Sequence, residues 1–76
     1  MYDDVERVLD FRVVTPHNPQ EQFKVEWVCD DNREWTTEAI ILQWVHPDER
    51  ERVRGMLDAF KAPRLKNYRK KRRRRR

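Results

Sequence analysis

Between Val5 and Val14 the apolar residues Val5, Leu9, Phe11 and Val13 share one parity and Glu6, Asp10 and Arg12 take the other, with Arg7 the exception. A period of two predicts a half-buried strand. Thr15-Pro16-His17-Asn18-Pro19-Gln20 ends it, because neither proline can donate to a ladder and the rest are turn formers. Alternation resumes from Gln22, with Phe23, Val25, Trp27 and Cys29 on one face and Gln22, Lys24 and Glu26 on the other, so the two runs form an antiparallel hairpin. Asp30-Asp31-Asn32 is a second turn, and Arg33-Glu34-Trp35-Thr36 is long enough for a third strand. From Glu38 to Val45 a short apolar run does not separate strand from helix, and a bend carrying Ile41 and Leu42 into the core is expected.

Pro47 suits the first turn of a helix, where a missing N–H costs nothing, and Asp48, Glu49 and Glu51 favour the positive end of its dipole. Val53, Met56, Leu57 and Phe60 then recur at helical spacing, which predicts an amphipathic helix over residues 47–61 laid on the sheet. Gly55 weakens that helix by about 1 kcal/mol relative to Ala. Ala62-Pro63 should end it, since the residue before a proline is pushed out of the α region. The expected architecture is α+β: a small curved three-stranded antiparallel sheet, a partial barrel, packed by one C-terminal helix. Residues 1–61 form this module and residues 62–76 a disordered polybasic tail.

Charge divides the chain at the same place. Residues 1–60 hold fourteen acids against seven bases, a net −7, whereas residues 61–76 hold eleven bases and no acid, a net +11. The body should attract basic partners and the tail anionic polymers. With 76 residues the core is small, and a margin of only about 3–5 kcal/mol is expected. Cys29, the single cysteine, allows no internal disulfide, and a reducing, intracellular setting fits. The acidic start Met1-Tyr2-Asp3-Asp4 and the absence of an apolar run longer than Ala39-Ile40-Ile41-Leu42 give no expectation of secretion or of a membrane partner.

The opening Val5 to Arg12, the segment Phe23-Lys24-Val25-Glu26-Trp27, and Glu34-Trp35-Thr36-Thr37-Glu38 with Ile41 and Leu42 succeed one another in the order and spacing of a chromodomain. Over residues 2–60 the chain resembles that family. The resemblance implies a nuclear reader of histone tails, in which a basic peptide adds as a strand between the N-terminal segment and the loop entering the helix. Methyl-lysine readers of the family cage the ammonium with three aromatics. Trp27 matches the cage tryptophan, while the other two cage positions fall at Asp3, beside Tyr2, and at Asp30. The implied peptide site is Tyr2, Asp3, Val5, Trp27, Asp30, Asp31 and Glu34.

Each of these residues has a plainer alternative. Trp27 is a cage wall or a core residue of the Phe23 face, Tyr2 a channel residue or a frayed end, and Asp30, Asp31 and Glu34 a cation site or a solvated turn. Trp35 and Trp44 are expected to be packing residues. Cys29, His17 and His46 supply the residue types of a thiol dyad but no third group to orient it, and with no serine and no phosphate-cradling glycine loop no enzyme activity, metal or cofactor is expected. In the tail, Arg69, Lys70, Lys71, Arg72, Arg73, Arg74, Arg75 and Arg76 suit nuclear import or nonspecific nucleic-acid contact. Two further alternatives are a small barrel acting mainly through that tail, and a chromo-shadow-like module dimerising through Val53, Met56, Leu57 and Phe60. A monomer is the expected state, and the tail could also fold back on the acidic body.

Overall fold

The computed structural model describes residues 1–14 and 19–73, with side chains as far as residue 66. Two strands form where the sequence alternates. β1 (Val5–Val14) and β2 (Gln20–Trp27) pair antiparallel, from Val5 opposite Trp27 at one end to Val14 opposite Gln20 at the other. The ladder is irregular between Val5 and Arg7 and again between Val8 and Asp10, so Glu6 and Leu9 are surplus residues of two bulges. Each bulge reverses the facing of the residues beyond it. The inward residues are therefore Val5, Val8 and Phe11, and Leu9, expected inside, is exposed. Arg7 ceases to be an exception.

The expected third strand shrinks to a single bridge, in which Phe23 and Thr36 exchange two hydrogen bonds of 2.7 and 2.9 Å. The backbone before it is engaged locally. Asn32 N–H donates to Asp30 Oδ1 at 3.0 Å, Glu34 N–H donates to Asn32 Oδ1 at 2.9 Å, and the Arg33 guanidinium donates to the carbonyls of Asp30 and Asn32. Short polar side chains thus take the N–H groups that a ladder would need. The sheet among the described residues has two strands, not three.

A helix replaces the expected bend. α1 (Glu38–Trp44) starts at Thr37, whose hydroxyl accepts from Ile40 N–H and whose carbonyl accepts from Ile41 N–H, with Glu38 in the first turn. Its last carbonyls are put to use: Leu42 O accepts from Arg50 Nε at 2.8 Å and Trp44 O from Asp3 N–H at 2.9 Å. A 3₁₀ turn, Pro47–Glu49, begins with His46 Nδ1 accepting from Asp48 N–H and leads into α2 (Arg50–Arg73).

α2 does not stop at Ala62-Pro63 but runs through Pro63 to Arg73, so the helix extends into the stretch expected to be disordered. Proline in a helix removes one N–H and crowds the carbonyls of the preceding turn. The carbonyl left without its donor is that of Ala59. One residue on, Phe60 O accepts from the Arg64 guanidinium at 3.0 Å, and the same guanidinium lies 3.6 Å from the Phe60 ring centroid, so Arg64 folds back over the turn before Pro63.

The core is Val5, Phe23, Val25, Ile41, Val45, Val53 and Leu57, with Val8, Phe11, Trp27, Leu42 and Met56 packed around it. Val53 and Leu57 are fully buried within their own chain, so these two residues of the α2 stripe pack intramolecularly, while Met56 and Phe60 are only partly buried. Ion pairs set the helix direction. Arg52 meets Asp4 beside the Val5–Trp27 end of the ladder, and Lys61 meets Glu21 at 2.9 Å beside its Val14–Gln20 end.

Leu57→Ala should cost about 2–5 kcal/mol through lost burial and the cavity left behind. Against a margin of about 3–5 kcal/mol for so small a core, urea unfolding followed by circular dichroism should find the variant near or past its midpoint in water. Lys61 has its pKa raised, chiefly by the hydrogen bond to Glu21, with partial burial opposing. A raised folded pKa gives stability that is complete below lysine's ordinary value of about 10.4 and is lost as pH climbs through the folded value. Alkaline melts should show that loss, and Lys61→Met should flatten it.

Candidate functional site

Three pieces of chain meet at the Val5–Trp27 end of the ladder. The N-terminal segment is stitched on both sides: Asp3 N–H donates to Trp44 O, Asp4 O accepts from Val28 N–H at 2.9 Å, and Asp3 Oδ1 accepts from Cys29 N–H at 3.1 Å. Asp3 and Val45 form a parallel bridge. The exit of β2, the loop of residues 28–36 and α1 supply the rest. Between them lies a groove of about 590 Å³.

Its walls are aromatic and its charge is acidic. Tyr2, Trp27, Trp35 and Trp44 line it together with Ile40, and Asp3, Asp30 and Glu34 bring three carboxylates; no lysine or arginine is among the lining residues. Trp27 packs on the core and also lines the groove. Trp35 and Trp44 are not core residues. Trp44 is 54% exposed, and Trp35 stacks under Arg12, 4.2 Å from the ring centroid, and Lys24, at 4.8 Å. Trp35 already demonstrates that this surface accepts a guanidinium on an indole face.

Of the seven residues expected at the site, Tyr2, Asp3, Trp27, Asp30 and Glu34 converge on the groove. Val5 and Asp31 do not: Val5 is buried in the core, and Asp31 is exposed outside the lining. Sequence reasoning missed Ile40 and Trp44. Their i, i+4 spacing places them together on a helix face about 100° around from the buried Ile41, a signal visible only once residues 38–44 are taken as helix. Thr36, also on the lining, has the one buried side-chain oxygen without a hydrogen-bond partner among the described residues.

No family model, curated protein or solved structure matches the chain. The groove therefore carries the functional question by itself.

Of the thiol-dyad residues, Cys29 has Asp3 as its hydrogen-bond partner, His46 stacks edge-on against Tyr2 with ring centroids 5.2 Å apart, and His17 lies outside the described residues. Among the described residues no cluster of three or more His, Cys, Asp or Glu side chains could hold a metal ion. The Asp3 carboxylate raises the Cys29 pKa, mainly by charge repulsion with the thiolate. Less thiolate at neutral pH means slower attack on an electrophile. Asp3→Asn should lower that pKa and speed alkylation by iodoacetamide at pH 7–8, read by mass spectrometry as a several-fold rate increase; an unchanged rate would place the Asp3 charge away from the thiol.

Proposed function

We propose that this chain is a non-enzymatic binding module whose acidic, aromatic groove takes a cationic side chain of a basic peptide, with histone tails as the natural class of ligand. The observation that carries this reading is the convergence of three carboxylates and four aromatic rings on one groove, against which the Met1 terminus is the one cationic group among the described lining residues. Aromatic faces attract cations with about 0.5–2 kcal/mol each, and exposed carboxylates add about 0.2–1 kcal/mol. A few such contacts correspond to a dissociation constant of roughly 0.1–1 mM for a single anchor residue.

The mode of entry differs from simple strand addition. Asp3 and Asp4 already span the gap between the β2 exit and the end of α1, so an added strand has to displace the hydrogen bonds to Trp44 O and from Val28 N–H. Capture of a side chain leaves both intact. A methylated lysine and an unmodified lysine or arginine all fit the charge. Methylation selectivity depends on how closely Tyr2, Trp27 and Trp44 close around the head group.

A second contact is proposed for the basic stretch beyond residue 61, as a nuclear-targeting and nonspecific nucleic-acid element. The ten bases of residues 62–76, unbroken by any acid, support it. Each phosphate neutralised on duplex DNA should contribute about 0.9 to the slope of log K against log salt, so a steep slope is expected in fluorescence anisotropy.

Titrating unmodified and methylated histone-tail peptides into the labelled chain should shift the indole N–H signals of Trp27, Trp35 and Trp44. Shifts confined to side chains indicate capture without strand exchange, whereas large amide shifts at Asp3 and Val28 indicate displacement of the N-terminal segment. Asp30→Lys with Glu34→Lys should weaken binding at least about tenfold, the equivalent of 1.4 kcal/mol. Silence at all three indoles at millimolar peptide refutes the groove as a basic-peptide site.

A further inference from the structure

The acidic groove and the basic stretch sit at opposite ends of the molecule. Arg52 near the start of α2 pairs with Asp4 beside the groove, and Lys61 pairs with Glu21 at the far end of the ladder. From Lys61 the helix continues outward to Arg73, roughly 18 Å at 1.5 Å per residue. The long axis of the molecule is accordingly 49 Å, against 20 and 18 Å for the others. Arg74, Arg75 and Arg76 reach at most about 11 Å beyond Arg73. With the helix intact, the arginines cannot return to the groove of their own chain.

We infer that the groove of one molecule takes the arginine-rich C-terminal end of a second copy, so that the chain associates head to tail. This rests on the reading of the groove as a site for cationic side chains. The charges match, a body of −7 against a terminal stretch of +11. The chemistry matches as well: a guanidinium stacks on an indole and forks onto a carboxylate, and Trp27, Trp44, Asp30 and Glu34 offer both partners in one groove. Arg12 over Trp35 is the same contact made within the chain. Because donor and acceptor surfaces are different patches at opposite ends, the contact is heterologous and leaves a free groove and a free arginine stretch at the two ends of every assembly.

Sedimentation of the full chain tests this directly. At about 0.01 M salt, where the Debye length is about 30 Å, the average mass should rise with concentration beyond a dimer; at about 1 M, where it is about 3 Å, the chain should return to monomer. Two variants then separate the surfaces: Asp30→Lys with Glu34→Lys spoils the groove, and Arg72, Arg73, Arg74, Arg75 and Arg76 all changed to Gln spoil the tail. Each should be monomeric alone, with an unchanged circular dichroism spectrum, and an equimolar mixture should form a one-to-one dimer and nothing larger. Duplex DNA should disperse the parent assembly by competing for the arginines. A parent that stays monomeric at low salt, or a groove or tail variant that associates as the parent does, overturns the inference. A monomeric parent that still binds free basic peptide overturns self-association alone, while a parent that does neither overturns the groove reading too.

Discussion

A two-stranded ribbon is not stable by itself in water, and everything in this chain depends on what covers it. Val53 and Leu57 of α2 supply that cover, joining Phe23 and Val25 of β2, Val5 of β1, and Ile41 and Val45 from α1 and its end. Without the α2 stripe the core keeps no second layer. The groove depends on the same seam at one remove, because Val45 must be buried for Trp44 O to stand where Asp3 N–H can reach it.

Much of this was legible in the alternation of β2 and in the helical spacing of Val53, Met56, Leu57 and Phe60, where periodicity and burial agree. Three features were not, each for a definable reason. Bulges at Glu6 and Leu9 break the period of two without changing composition, so Leu9 reads as inward and is not. Asn32 and Asp30 compete for backbone N–H groups, which favours a turn over the third strand although Arg33 to Thr36 has suitable residues. Thr37 before Glu38 was a helix-start signal, but the short run after it carries strand and helix equally well. At the site, charge and Trp27 were legible from the residues, while Trp35 and Trp44 required the third dimension. Proline punctuation misled at Pro63, which α2 passes through.

Polarity along the long axis organises what the molecule can do. Acid and aromatic surface gather at the end where the N-terminal segment, the β2 exit and α1 meet, and positive charge is carried away from it by a helix that crosses the sheet from Asp4 to Glu21. Separation keeps the two from neutralising each other, so each remains open to an external partner. Its cost is self-repulsion among the clustered bases, which like any surface charge effect weakens with salt.

The bulges in β1 have a bearing on how the chain can change length. Glu6 and Leu9 both lie on the outer side, each as one of two successive outward residues, so the removal of either would restore alternation at its own bulge and still leave Val5, Val8 and Phe11 facing inward. What such a deletion would alter is curvature, because bulges bend a strand and tighten its twist. A shortened β1 would keep its inventory of buried residues but lead into Asp3 and Tyr2 along a straighter path. Insertions and deletions at these two positions are thus a route by which related chains could reshape the mouth of the groove while leaving the core untouched.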